Sequence, residues 1–374
     1  MAQQVNQYVL ESLREINTIQ TEIGNIAQIY MDANNMYIGN NTGNIAAYVE
    51  NNVFIGNNCG NVNTGTDNTF VGYQAGNVNT TGYLNTFIGS SSGSNNTDGY
   101  INTFVGNHAG ERNQSGYLNT LIGGYAGNNN TANYNTFIGT YSGRYNTNGT
   151  QNVFMGTSAG ITNTLGNNNT FVGYSAGSQN IGASNNTFMG QNSGVNSIGA
   201  NNTFIGQSSG FNNTSGDDNV FIGKDAGRNN DAGTNNLFIG TYSGLDNTTG
   251  NNNLAIGIGA GESLSVSGVT ENNTLIGNNA DSSKKYGIAI GNNALCNVDY
   301  GLFVPTTVAR LASNNATGNV VVLFNTLTGQ MGPMTGQLNY TPTNPNDWDI
   351  IGLSPPYTIQ NALDRLANII ADWW

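Results

Sequence analysis

The residues able to do chemistry are few, and their scarcity is informative. His108 is the only histidine in the 374-residue chain. A histidine metal cluster is therefore impossible, and a Ser-His-Asp arrangement would rest on this one side chain. Glycoside hydrolysis needs two carboxylates about 5–10 Å apart across a scissile bond. The densest acidic region holds Asp217, Asp218, Asp225 and Asp231, with Lys224 and Arg228 beside them. They occupy turn-like positions where solvated charge is the expected role. Calcium-binding repeats place an Asp in every turn, whereas the turns here carry Asn and Thr, neutral oxygens that hold the ion weakly. The expectation is no catalytic residue, no cofactor and no metal.

Three other patterns have chemical content. Tyr83, Tyr100 and Tyr117 recur at intervals of 17, a spacing that predicts an exposed aromatic row able to meet sugar rings. Thr69, Thr86, Thr103 and Thr120 form a similar row of hydroxyls, of the kind found on ice-binding faces. Cys59 and Cys296 are too few for a disulfide framework and read as small apolar fillers.

Composition excludes several partners. Nine Lys plus Arg against 21 Asp plus Glu give a net charge of -12. Counterion release from nucleic acid requires clustered cations, and an anionic membrane surface asks for the same, so neither is an expected partner. No apolar stretch approaches the roughly 18 residues of a spanning helix. The opening MAQQVNQYVLESL has neither a basic n-region nor a continuous apolar core. Synthesis in a cytoplasm without a signal peptide, and no membrane insertion, are the expectations.

These residues are set by a repeat. Fourteen glycines from Gly39 to Gly257 follow one another at intervals of 16 or 17. Each has Asn four residues before it, Ile, Val or Met one before it, and a second Gly four after it. Phe precedes most of them by two, as in NTFIG at 202–206, and the residue three after stays small, as in Ala75, Ser92 and Ala109. A period this short with β-favouring Thr-Phe-Ile cores predicts an all-β parallel solenoid, one unit per coil. Coils stacked at about 4.8 Å would make a shaft on the order of 65 Å. Asn and Phe would stand in continuous ladders, with a second Asn ladder through Asn63, Asn79, Asn96, Asn113, Asn130, Asn146 and Asn163. Glycines mark the corners.

The oligomer follows from alternation along a strand. Phe204 and Ile205 point to opposite faces, yet both columns are apolar. One fills the coil, and the other is left as a stripe that sister copies would cover. The expected domains are a helical coiled-coil segment at 1–34, the solenoid shaft at 35–299, a β cap at 300–340, and a linker with a closing helix at 341–374. Ile16, Ile19, Ile23 and Ile26 sit on a heptad seam running to Tyr30, and isoleucine at both core positions favours trimers or tetramers. Ile359, Leu363, Leu366 and Ile370 form a matching apolar stripe, and these eight side chains are the expected trimerisation contacts.

On these residues a resemblance is visible. AIGNNA at 289–294 and the NTFIGxxAG-type units resemble the head repeats of trimeric autotransporter adhesins, which are left-handed parallel β-rolls of three chains. The longer unit with its NTTG turns (79–82) is similar to repeats in tail-fibre and surface-fibre proteins of phages and large DNA viruses. VVVLFNTLTGQMGP at 320–333 resembles a segment preceding the self-cleaving chaperone domain of some such fibres. The resemblance covers about residues 36–334. It implies a left-handed homotrimer, a fibre or spike on a virion surface or another extracellular position. One end would meet a particle attachment protein, with a host-surface glycan as a further partner. A glycan-binding adhesin and a polysaccharide-degrading tailspike are the alternatives it leaves. The signal peptide and membrane barrel of an autotransporter are not visible in this chain, nor is the self-cleaving domain.

Overall fold

The computed structural model describes residues 29–31, 34–43, 49–264 and 271–305, together with the backbone of 330–331. All belong to the first of two units, Met1–Met331. The heptad residues Ile16, Ile19, Ile23 and Ile26 and the helix residues Ile359, Leu363, Leu366 and Ile370 lie outside the described residues.

The architecture is an all-β parallel solenoid of about 15 turns. Three-residue strands from Met36–Ile38 to Thr274–Ile276 stack in sequence order, each paired in parallel with the next. The register never slips: Thr187, Phe188 and Met189 lie against Thr203, Phe204 and Ile205, which lie in turn against Val220, Phe221 and Ile222. Equal register is what a fixed column pattern requires, because a one-residue shift would turn every Phe outward.

The interior is one column of aromatic rings. Phe204 is 0 % exposed, and its ring lies 4.7 Å from that of Phe221 with planes 4° apart. Leu121 replaces a Phe in the middle of the column. Ala255 replaces one near its end, and the space is filled by Leu264, which is fully buried.

Two glycines per coil permit this closeness. Gly206 has φ +136, and a Cβ there would collide with the Gly223 carbonyl of the next coil; Gly210 has φ +58, and a Cβ there would enter the Phe204 ring of its own coil. Only glycine satisfies both the dihedral and the approach.

Buried amides complete the frame. The Asn85 backbone N–H donates to the Asn68 side-chain oxygen at 3.0 Å, and the Asn85 side-chain amide donates to the Gly99 carbonyl at 2.8 Å. In the second ladder Asn163 donates to Asn146 at 2.9 Å and Asn247 to Asn230 at 2.7 Å. Small residues at the cramped position also bond between coils: the Ser209 hydroxyl donates to the Phe221 carbonyl at 3.0 Å.

One expectation is corrected at the first coil. Residues 29–31, assigned from the heptad pattern to a helix, form a β-strand (Ile29–Met31) paired antiparallel with Met36–Ile38. The first coil otherwise offers unpaired backbone groups along its edge, and a returning strand occupies them. Tyr30 stacks on Tyr37 at 5.7 Å, so it extends the aromatic column instead of a coiled-coil seam. Beyond Gly277 the coil shortens to 14 residues. There Asp281–Ser282 and Leu295–Cys296 form a second small sheet. Leu302–Phe303 then pairs in parallel with the preceding coil and antiparallel with Gln330–Met331.

Candidate functional site

The outward face of the strand stack is uncharged throughout. Along it run the Thr column (Thr69, Thr86, Thr103, Thr120) and the Ile, Val and Met column. Ile205 is 36 % exposed where its neighbour Phe204 is fully buried, and Ile88, Met155 and Met189 are similarly open. This face is the apolar stripe required by the alternation of the strand, and the structure assigns it to the Ile column.

The tyrosine row forms at the corner before that strand. The Tyr83 and Tyr100 rings lie 5.0 Å apart and 1° from parallel; Tyr100 and Tyr117 are 4.8 Å apart and 3° from parallel. Stacked this way, the rings cover one another's faces and turn edges and hydroxyls to solvent. Sugar stacking uses a free ring face; the row instead offers hydrogen-bonding edges. Desolvation pushes the Tyr100 phenol above its ordinary pKa, assisted by the neighbouring Tyr117 and Tyr83. Tyr134, one residue out of the column, closes the row edge-on to Tyr117 at 77°.

Next to the tyrosines, Leu84, Ile101 and Leu118 hold left-handed backbone conformations, with φ of 55°, 55° and 56°. In many other coils Asn or Asp occupies this position, as at Asn168, Asn185 and Asp218.

His108 is engaged rather than free. Its ring stacks on Tyr125 at 4.8 Å, and Nδ1 lies 3.0 Å from Glu111 Oε2, an ion pair only when the ring is protonated. Asn128 holds the same Glu111 oxygen at 2.8 Å.

The acidic group is likewise committed to local bonds. Asp225, expected to be solvated, has a side chain only 7 % exposed, with Arg228 at 3.3 Å and Lys224 at 4.0 Å. Burial makes such pairing necessary, because an unpaired carboxylate there would be strongly unfavourable. Asp217 accepts the Ala200 backbone N–H at 2.6 Å, and Asp231 accepts the Thr214 hydroxyl.

Among the described residues no group of three or more His, Cys, Asp and Glu is placed to hold a metal ion, and no helix is long and apolar enough to cross a membrane. Cys59 and Cys296 are buried free thiols. Burial pushes the Cys59 thiol up to about 12.

Sequence reasoning missed one constellation. Arg144 lies over the rings of Tyr125, Tyr141 and Tyr145 at 5.0, 5.1 and 5.1 Å. The usable signal was that Tyr125 and Tyr141 occupy one repeat column, three residues before Asn128 and Arg144 of another. The turn brings those two columns side by side.

No protein-family profile matches the chain, and no curated protein is similar to it in sequence.

Proposed function

We propose that three copies of the chain assemble side by side into an elongated fibre or spike, carried on a virion or similar particle and serving host attachment. The observation that carries this reading is the outward Ile column, apolar in every coil and flanked by an uncharged Thr, Val and Leu column. Soluble monomers rarely expose continuous apolar patches beyond a few hundred Å². Covering the open part of each side chain would contribute roughly 1 kcal/mol, repeated over every coil. The likeness of the units to fibre repeats supports the placement on a particle. One end then meets an attachment protein of that particle, and the chain works by reach and rigidity without catalysis.

The experiment is the mass of the full chain by sedimentation equilibrium at micromolar concentration, for the parent and for an Ile205→Lys/Ile222→Lys variant. Both side chains point out of the coil, so the variant keeps the stack and loses the assembly. The expected masses are three chains for the parent and one for the variant. A parent of single-chain mass, or a triple mass indifferent to two buried lysines, ends the proposal.

A further inference from the structure

Some charged groups of the coil turns are paired locally: Arg228 meets Asp225, and Lys285 meets Glu271 at 2.9 Å. Arg144 is held differently. Three tyrosine rings surround its guanidinium at 5.0–5.1 Å, yet among the described residues no carboxylate lies within ion-pairing distance. Its Nε is buried without a hydrogen-bond partner, so the two terminal nitrogens are the donors left to face a ligand. At Gly124 a Cβ would meet nothing nearer than Thr140 Cγ2 at 4.0 Å.

Aromatic rings hold a guanidinium in place without cancelling its charge. A planar cation fixed in this way is suited to bidentate pairing with an oxyanion. Around it stand phenol groups, which suit the hydroxyls of a sugar. A peptide ligand fits less well, since peptides commonly add to free main-chain edges. Here the turn's backbone is already used, with Tyr141 N–H donating to Gly124 at 2.9 Å and Tyr145 N–H to Ile161 at 3.0 Å. A single cation is also too little for nucleic acid.

We infer that Arg144, with Tyr125, Tyr141 and Tyr145, binds an acidic sugar residue, carboxylated or sulfated, Arg144 taking the anion and the phenol hydroxyls taking the hydroxyls of the sugar. The inference rests on the attachment part of the fibre reading and gives it a ligand class. With a net charge of -12, the molecule as a whole repels anions, so acidic-sugar binding would report this local site.

The test is calorimetric titration of the full chain with 3′-sialyllactose, with galactose 6-sulfate and with neutral lactose. At least one acidic probe binds and lactose does not; which probe binds separates the carboxylated from the sulfated source. Arg144→Met, which keeps the stem and removes the charge, weakens binding at least tenfold, whereas Arg112→Met, two coils away, leaves it unchanged. Thermal unfolding of both variants checks the fold. Should Arg144→Met not fold, Tyr145→Ser at the exposed ring must show the same loss. Binding by neither acidic probe, equal binding of lactose, or undiminished binding by Arg144→Met overturns the inference. The cluster lies within one chain, so a monomeric mass defeats the trimer without touching this result, and the reverse also holds.

Discussion

Asn219 donates its backbone N–H to the side-chain oxygen of Asn202, seventeen residues earlier, at 2.9 Å. The Asn202 side-chain amide in turn donates to the Gly216 carbonyl at 2.9 Å. One fully buried side chain thus satisfies two backbone groups of the following coil at a position where no water reaches.

Replacing Asn202 by Leu should therefore orphan the Asn219 N–H, while the Gly216 carbonyl keeps the Asn213 side-chain amide at 2.8 Å. A buried polar group left without a partner costs about 1–3 kcal/mol. The expected result is faster hydrogen exchange at the Asn219 amide and its neighbours, by roughly 5- to 150-fold. Gln207→Ala, at an exposed position of the same coil, should leave those rates unchanged.

Leu121 interrupts the ring column between Phe104 and Phe137, and Leu121→Phe should repair it. Each restored ring pair contributes about 0.5–1.5 kcal/mol beyond its buried area. In the opposite direction, Phe171→Ala should cost about 3–5 kcal/mol, since the stack cannot collapse around the void. Urea unfolding of the two variants checks both signs.

Ile101 is a β-branched residue held at φ 55°. The left-handed conformation costs an L-residue roughly 1–2 kcal/mol, and Asn tolerates it better. Ile101→Asn should accordingly raise the unfolding midpoint. A lower midpoint would show that the side chain's packing against the tyrosine row outweighs its backbone strain.

Cys59 carries a folded-state pKa of about 12 against a model-compound value of 9.0. Between those limits the unfolded chain releases a proton that the folded chain keeps. Stability should be flat with respect to this group below pH 9 and then fall toward pH 12, by about 1.4 kcal/mol per pH unit. Cys59→Ala should lose that component of the slope, and the native thiol should resist alkylation at pH 8 until urea is added.

Much of this fold is legible in the sequence because a solenoid turns sequence period into spatial register. A Phe every 16 or 17 residues becomes a ring every 4.7–4.9 Å, and the Asn columns become the buried amide ladders. The sequence by itself determined the period, the columns, the glycine corners and the alternation that makes one apolar column outward. Tertiary structure decided the rest. Which way the chain bends at Gly206 and Gly210 selects Phe204 for the inside and Ile205 for the outside, a choice that period alone leaves open. The strand at Ile29–Met31 forms because the first coil has an open edge, a property of the stack and not of the local heptad pattern. The grouping of Arg144 with Tyr125, Tyr141 and Tyr145 depends on how a tight turn sets two columns beside each other, and cross-coil neighbours of that kind exist only once the coils are stacked.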